Sequence, residues 1–185
     1  MPYNPRKAAQ TIAYFALQDA GTINVLKAIK LVYLADRESL RLRGHPIQDE
    51  ARSSMPHGPV NSVTYDWIKG SYRDDGTWSA VLTDREGHNV AVADGDLTID
   101  DLDELSEREL AILENIWQQF GHMDQFALAD WTHDPGNVPE WEDPNGSSKP
   151  IRLATMMAAV GLDHPLERAR ELEGVNSASD ILASL

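Results

Sequence analysis

The segment NVLKAIKLVYLADRESLRLRG, from Asn24 to Gly44, constrains the fold more than any other part of the chain. Asn24 is a typical helix N-cap, and Gly44 is a typical residue just past a helix C-terminus. Between them, the first half of the segment is apolar on almost every side of a helical projection. The polar exceptions gather in one narrow stripe of Lys27, Lys30, Arg37, Glu38 and Arg41. A helix with so little polar surface is normally buried, so we predict a long central helix.

Asp36 stands apart from this stripe because it projects from roughly the opposite side of the predicted helix. A carboxylate on the buried side must be hydrogen-bonded or ion-paired if the fold is to remain stable. The candidate partners are Arg52, His57 and the backbone amides of residues 56–59, PHGP. We interpret Asp36 as a structural carboxylate that joins this corner to the helix, in preference to a catalytic group.

The remaining patterns predict a mainly α (α+β) protein, a compact helical domain around the central buried helix with a small β-hairpin. A first helix begins at Pro5 and ends near Gly21, since proline suits a first turn and glycine a helix end. After an extended stretch, Gly58 and Pro59 are expected to begin a third helix that runs to about Lys69. This places the PHGP corner at the start of a helix.

The second half of the chain predicts the hairpin and the later helices. Alternating apolar residues in TWSAVLT and HNVAVAD indicate two strands around the turn DREGHN. A capping box of Ser106 and Glu109 begins an amphipathic helix, and FALADWTHD indicates a short one. Two or three short helices are expected in IRLATMMAAVGL, LERARELEG and SASDILASL. We expect one domain over residues 1–185, with its core at about 8–160 and a helical C-terminal tail.

Composition and charge exclude several classes of function. The chain has no cysteine, so disulfides, thiolate catalysis and cysteine-ligated metal sites are excluded. The N-terminal residues lack the apolar core of a signal peptide, and no run approaches the ~18 apolar residues of a membrane span, so we expect a cytoplasmic protein. The net charge of −14 is uneven: residues 1–52 carry +3 and residues 53–185 carry −17. Such a surface should repel nucleic acid and favour a basic partner.

Histidine is the remaining candidate for metal or acid–base chemistry. The six histidines are not spaced as a helical ligand pair. Only residues distant in sequence could combine, and Asp36, His57 and His133 are the set that a metal-dependent hydrolytic enzyme would use. We favour a structural role, in which His57 and His133 form a polar junction between the PHGP corner and the THDP loop. The sequence therefore predicts no catalytic residue, no metal ligand and no cofactor.

The predicted order of three helices and a hairpin also matches a winged-helix DNA-binding regulator, in which the third helix would enter the DNA groove. That helix would have the sequence VNSVTYDWIKG, with one lysine and one aspartate. It therefore lacks the basic face that a DNA-reading helix normally presents. DNA binding remains an alternative that the charge disfavours.

Four motifs, taken in order, resemble the Panacea domain of SocA-like antitoxins and phage-associated proteins. They are KAIKLVYLADRESLRLRGHPI, MPHGPVNSVTYDWIKG, LADWTHDPGNVPEW and GSSKPI, and the resemblance covers roughly residues 8–160. The motif positions and adjoining polar residues are our candidates for a binding or structural motif. They are Lys30, Tyr33, Asp36, Arg37, His57, Gly58, Pro59, Tyr65, His133 and Trp141.

The resemblance implies the antitoxin component of a toxin–antitoxin system, and no enzyme. Antitoxins with a Panacea domain neutralise unrelated toxins by direct protein contact, and the SocA type is a proteolytic adaptor that delivers its toxin to the ClpXP protease. The partners implied are therefore a cognate protein toxin and a ClpXP-type protease. The toxin-binding face and the oligomeric state stay open.

Overall fold

The computed structural model describes the backbone of residues 3–183 and the side chains of residues 3–175. Within this part the chain forms seven α-helices, one 3-10 helix and five short strands, so the predicted mainly α class is confirmed. In chain order the elements are α1 (Pro5–Gln18), β1 (Thr22–Asn24), α2 (Val25–Arg43), β2 (Arg52–Met55), β3 (Gly58–Asn61), α3 (Ser62–Ile68), β4 (Asn89–Ala91), the 3-10 helix (Ile99–Asp101), α4 (Glu107–Phe120), α5 (Gln125–His133), β5 (Lys149–Ile151), α6 (Leu153–Ala159) and α7 (Pro165–Ala183).

Helix α2 begins and ends where the sequence predicts. The Asn24 side chain accepts hydrogen bonds from the backbone amides of Leu26 and Lys27, at 2.9 and 3.4 Å. Gly44 adopts a φ of 77° past the last turn and donates its amide to the Leu40 carbonyl. Most side chains between the two caps are buried. The prediction of a central buried helix is therefore confirmed.

Helix α2 contributes side chains to two hydrophobic clusters. It packs against α1, α4, α5 and β3. Leu31 and Val32 belong to a large cluster that includes side chains of α1 and α4. Tyr33 and Leu40 belong to a smaller cluster with side chains of α6 and α7. Because one helix supplies both clusters, the N-terminal and C-terminal parts of the chain pack on the same element.

The three-stranded sheet contains the PHGP corner. Its middle strand β2 pairs antiparallel with β3 on one side and β5 on the other. Ser53 lies opposite Val60, and Ser54 lies opposite Lys149. Strand β3 also contacts α2 and α5. The turn between β2 and β3 therefore brings residues 56–59 next to both helices.

The predicted hairpin is only partly formed. Two isolated bridges, Leu82 with Val92 and Glu86 with Asn89, hold its two arms together. The regular pairing of β4, however, is with β1 near the N-terminus. The sequence thus predicted the chain reversal correctly and the strand pairing wrongly.

The first arm of the predicted hairpin forms a turn, because several of its backbone amides are hydrogen-bonded to the Asp74 carboxylate. It accepts hydrogen bonds from the amides of Gly76, Trp78 and Ser79, at 3.1, 3.1 and 3.0 Å. Amides that are bonded to a carboxylate cannot contribute to a strand ladder. The side chain of Trp78 is buried in the core instead of lying on a strand.

The third helix begins later than predicted. Pro59 lies within strand β3, and α3 begins at Ser62. Strand β3 is at the edge of its sheet, where a residue without an amide donor is tolerated. The helix is preceded by two strands and has no regular hairpin after it, so the order of elements differs from that of a winged helix.

The prediction of a solvent-exposed polar stripe along α2 is wrong for the first two residues of that stripe. Lys27 and Lys30 are buried, because other elements cover this side of the helix. The ammonium of Lys27 donates to the Gly121 carbonyl at 2.8 Å and lies 4.7 Å from the ring centre of Trp117. The aliphatic stems of lysines allow such burial when the charged end finds polar partners.

The C-terminal helices are longer than the sequence patterns indicated. Helix α6 is present as predicted, but the two later segments form one continuous helix, α7, through Ala183. The last two residues of the predicted SASDILASL helix lie outside the described residues. Among the described helices, none combines the length and hydropathy that a bilayer span requires.

Candidate functional site

Asp36 is the centre of a buried polar network on α2. Its Oδ2 accepts hydrogen bonds from Arg52 Nη2 at 2.7 Å and from Asn61 Nδ2 at 2.8 Å. Its Oδ1 accepts hydrogen bonds from the backbone amides of Ile47 and Gln48, at 2.9 and 3.1 Å. The carboxylate is only 1% exposed, and both oxygens are satisfied. It therefore ties α2 to the loop that precedes β2 and to both strands of the corner.

Of the three partners predicted for Asp36, Arg52 is correct, whereas His57 and the backbone amides of residues 56–59 are wrong. His57 is exposed on the turn between β2 and β3. The amides that reach Asp36 come from the loop before β2, and none of the four hydrogen bonds that Asp36 accepts involves residues 56–59. Asn61, at the end of β3, takes the place that the PHGP corner was expected to fill.

A second buried carboxylate, Glu50, extends the network. It accepts hydrogen bonds from the amide and hydroxyl of Thr64, at 2.8 and 2.6 Å, and from Asn61 Nδ2 at 3.0 Å. Burial, with the nearby charge of Asp36, raises the pKa of Glu50 from 4.5 to about 7. The Asn61 amide thus bridges two carboxylates, and its position at the start of α3 connects the helix to the sheet.

Lys30 lies fully buried on α2, six residues before Asp36. Its Nζ donates a hydrogen bond to the Pro59 carbonyl at 2.9 Å. Burial lowers the pKa of Lys30 from 10.5 to about 7, since a low-dielectric environment disfavours the charged ammonium. The side chain therefore fastens the edge strand β3 to the central helix.

Gly58 permits this close approach. Its φ is +92°, and a Cβ atom at this position would lie 2.6 Å from Thr132 Oγ1 and 2.9 Å from Lys30 Nζ. A side chain would therefore meet both α2 and α5. Glycine in the PHGP motif allows β3 to lie between two helices.

We expect Gly58→Ala to lower the free energy of unfolding by about 2–4 kcal/mol, through backbone strain and overpacking together. Gly76→Ala is the matched control, since Gly76 also has a positive φ, +99°, but no atom within 4 Å of an added Cβ. The control should lose only the strain component, about 1–2 kcal/mol. Urea unfolding followed by tryptophan fluorescence measures both. Equal losses would show that close packing at Gly58 contributes nothing.

Tyr33 and Arg37 meet at one carboxylate that the sequence did not single out. Tyr33 Oη and Arg37 Nε both donate to Glu140 Oε1 at 2.8 Å. Burial, and then the charge and hydrogen bond of Glu140, raise the pKa of Tyr33 well above its ordinary value. Because Glu140 lies in the loop after α5, the three side chains hold that loop against α2.

The predicted junction between the PHGP corner and the THDP loop is formed mainly by the side chains of His133 and Trp141. Their ring centres lie 4.7 Å apart, and Trp141 Nε1 donates to the Met55 carbonyl at 3.2 Å. Burial and the nearby Lys30 lower the pKa of His133, with a small further lowering from His57. His57 thus lies close enough to influence His133, but its exposed ring is at the edge of the junction.

Tyr65 is separate from these contacts. It lies on α3 and packs against the larger hydrophobic cluster. The ammonium of Lys69, one turn later, lies 4.5 Å from the Tyr65 ring centre. The ten candidate positions therefore do not form one site.

The structure does not assemble the ligand set of the metal-dependent hydrolase hypothesis. Asp36 is enclosed by Arg52, Asn61 and backbone amides, whereas His57 is exposed. Within the described residues, no three His, Asp or Glu side chains converge in a way that could hold a metal ion. The chemistry of the α2 contacts is instead that of paired and hydrogen-bonded scaffold groups.

Sequence reasoning missed three residues that complete these contacts, Glu50, Asn61 and Glu140. Asn61 carried one local signal, because asparagine before a helical segment is a preferred N-cap, although its side chain makes no cap hydrogen bond here. The two glutamates carried none, since acidic residues in loops are usually exposed.

Comparison with known proteins agrees with the resemblance. The family model for the antitoxin SocA-like Panacea domain matches residues 29–142, the span from α2 to the Trp141 junction. No curated protein and no solved structure matched the chain. The family model covers more than half of the 185 residues and contains all ten candidate positions. This chain therefore belongs to the SocA-like antitoxin family with a Panacea domain.

Proposed function

We propose that this protein is an antitoxin that neutralises a cognate protein toxin by binding it directly, one antitoxin to one toxin. Family membership over residues 29–142 is the observation that carries the proposal. The buried contacts support it, because Lys30, Asp36 and Glu140 all have partners within the chain. These groups stabilise a scaffold, and partner recognition falls to the outer surface.

The charge distribution defines the kind of toxin that fits. Residues 53–185 contain 25 Asp or Glu against eight Lys or Arg, a balance of −17. Such a field accelerates association with a basic protein, and added salt weakens the acceleration. The preferred partner is therefore a basic toxin rather than a nucleic acid.

A further part of the proposal concerns the fate of the toxin. As a member of this family the protein would act in the cytoplasm as an adaptor that delivers the bound toxin to a ClpXP-type protease. Sequestration and delivery make different demands, because delivery needs a second contact with the protease. In the delivery mode the toxin level falls only when the protease is present.

In cells that lack ClpXP, we expect coexpression with a small toxic reading frame encoded beside this gene to restore growth only when the antitoxin is at least equimolar with the toxin. Binding without turnover cannot neutralise an excess. Titrated induction in cells with and without ClpXP, with both proteins quantified, measures this ratio. If trace amounts restored growth in cells lacking the protease, both modes would be contradicted and an enzymatic activity would be favoured.

A further inference from the structure

A surface groove of about 450 Å³ lies where α1 packs against α4. Helix α4 lines it with one face, because its lining residues follow the three- and four-residue spacing of a single helical side. Leu110 and Trp117 are half-buried on this face, and the small side chain of Ala111 is exposed between them. Tyr14 from α1 and Ile99 from the 3-10 helix complete the apolar lining. We call this surface the α1–α4 groove.

The charged residues that line the groove are both acidic. Glu107 and Glu114 are exposed on the same side of α4, and neither forms an ion pair with another described residue. The Glu114 carboxylate accepts a hydrogen bond from the neutral side chain of Gln118 at 3.1 Å. In the part of the chain that the structure describes, no lysine or arginine lines the groove. Its surface therefore carries two uncompensated negative charges.

Two nearby cations do not cancel these charges. The Lys27 ammonium lies 4.7 Å from the ring centre of Trp117, but it is buried and forms an ion pair with Asp19 at 3.3 Å. Arg108 follows Glu107 in the sequence and does not line the groove, because one residue step turns a helix by about 100°. The negative charge of the groove is therefore available to a partner.

The hydroxyl of Tyr14 is a polar group at the base of the groove that has no partner among the described residues. Tyr14 is only 3% exposed, and its hydroxyl forms no hydrogen bond with any of them. Burial, and then the charge of Glu114, raise the pKa of Tyr14, so the hydroxyl stays neutral and can both donate and accept. A ligand that hydrogen-bonds to it competes only with solvent.

The spacing of the two carboxylates favours a helical partner. Glu107 and Glu114 are seven residues apart on α4, about 10.5 Å along its axis. Basic residues seven apart on a second helix that lies along the groove have the same separation, and apolar residues between them share the same face. On an extended strand that distance is about three residues, which places successive contacts on opposite faces. An amphipathic helix in an apolar groove is a common mode of recognition.

We propose that the α1–α4 groove binds a basic amphipathic helix of a protein partner. The apolar side chains of that helix lie on Leu110, Ala111 and Trp117. Its lysine or arginine side chains pair with Glu107 and Glu114, which select for positive charge. The inference rests on the proposed antitoxin function, because it names the antitoxin surface that recognises the basic toxin and the chemistry of the toxin segment that meets it.

The first test uses the peptide acetyl-AKAALLAAKAALLAAKA-amide, in which lysines recur every seven residues and leucines lie between them on the same face. Its counterpart with glutamine in place of each lysine is the control for charge. The indole N–H signals of the five tryptophans are assigned by substitution and followed by NMR. We expect the lysine peptide to shift the Trp117 signal and to leave that of Trp78, which is buried outside the groove, unchanged. Equal Trp117 shifts with the glutamine peptide, or none with the lysine peptide, would overturn the proposal.

Matched variants test the two carboxylates. Glu107→Gln and Glu114→Gln should each weaken binding of the lysine peptide about two- to fivefold, as expected for exposed charge pairs. Glu171→Gln, the same change at an exposed position of α7 outside the groove, should bind as the wild type does. Equal losses in all three variants would show that only the net charge matters, which contradicts a site at the groove.

Ala111→Lys puts a long cationic side chain at the centre of the groove. It should weaken binding of the lysine peptide more than about tenfold, because it blocks the groove and places like charges together. Ala158→Lys is the control, since Ala158 is exposed on α6 and the substitution adds the same charge elsewhere. If the two lysine variants bound the peptide equally well, the peptide would lie outside the groove and the proposal would be wrong.

Tyr14→Phe tests the hydroxyl at the base of the groove. The variant should weaken binding of the lysine peptide about two- to tenfold, the usual effect of one lost hydrogen bond. Its melting temperature should match that of the wild type, because the hydroxyl has no hydrogen bond to another described residue. Unchanged peptide binding would contradict a contact between the hydroxyl and the helix.

A second copy of this chain is the competing occupant of the groove. Sedimentation of the wild type and of Ala111→Lys over a wide range of concentration tests it. We expect the same oligomeric state for both proteins. A wild-type dimer that Ala111→Lys disrupts would identify another copy as the occupant and overturn the proposal.

The second test links the groove to neutralisation. If Ala111→Lys needs more antitoxin per toxin than Ala158→Lys does, at equal melting temperatures, the groove contacts the toxin. If Ala111→Lys loses peptide binding but neutralises as well as the wild type does, the groove does not recognise the toxin and this inference fails, while the antitoxin function stands. A wild-type protein that binds the peptide but never restores growth contradicts the antitoxin function separately.

Discussion

Asp36→Ala is expected to lower the free energy of unfolding by about 3–5 kcal/mol, the usual cost of breaking a buried ion pair by removing one partner. The substitution leaves the Arg52 guanidinium, 3% exposed, without its carboxylate. It also leaves the amides of Ile47 and Gln48 and the Asn61 side chain without their acceptor. Each unsatisfied buried group adds to the loss.

The matched control is Asp66→Ala, because Asp66 forms an equally short ion pair with Lys69 at the surface of α3. Exposed pairs contribute about 0–1 kcal/mol, so this variant should remain close to the wild type. Urea unfolding of all three proteins at one pH measures the difference. If the Asp36 variant lost less than about 1 kcal/mol, the network would not hold the corner to α2.

Lys30→Met is expected to change how stability depends on pH above neutrality. In the wild type the pKa of Lys30 is lowered from 10.5 in water to about 7 by burial. Between these two values the unfolded chain binds a proton that the folded protein does not hold, so the free energy of unfolding rises with pH. The contribution of the neutral amine is complete above about pH 10.5 and is lost as the pH falls towards 7. Methionine has a similar length and no proton to bind, so the variant lacks this dependence.

The quantity to measure is the difference in free energy of unfolding between wild type and variant from pH 7 to 9.5. As the pH rises through this window, the free energy of unfolding of the wild type should increase relative to that of the variant by up to about 1.4 kcal/mol per pH unit. The lost hydrogen bond to the Pro59 carbonyl adds only a constant offset. Glu50, whose pKa is raised to about 7, titrates mostly below this window and is present in both proteins. Lys30→Leu, which packs differently, should give the same slope, and a difference independent of pH would show that Lys30 stays charged in the fold.

The sequence by itself determined the central helix and the place of its one buried acid. The N-cap and the terminal glycine are local signals, and the apolar pattern between them needs no knowledge of neighbours. The helical phase was enough to place Asp36 on the buried side, and to require a partner for it. The ordered motifs were likewise enough to identify the family, because a family is recognised from the residues alone.

Only the tertiary structure decided which groups meet. Asn61, Glu50 and Glu140 reach their partners through contacts between distant parts of the chain, and no local periodicity reports such contacts. The burial of Lys30 depends on β3 and α5 covering a stripe that looks exposed on an isolated helix. The pairing of β4 with β1, and the strand at Pro59, were decided in the same way. Strand pairing joins remote segments, and packing outweighs local propensity wherever the two differ.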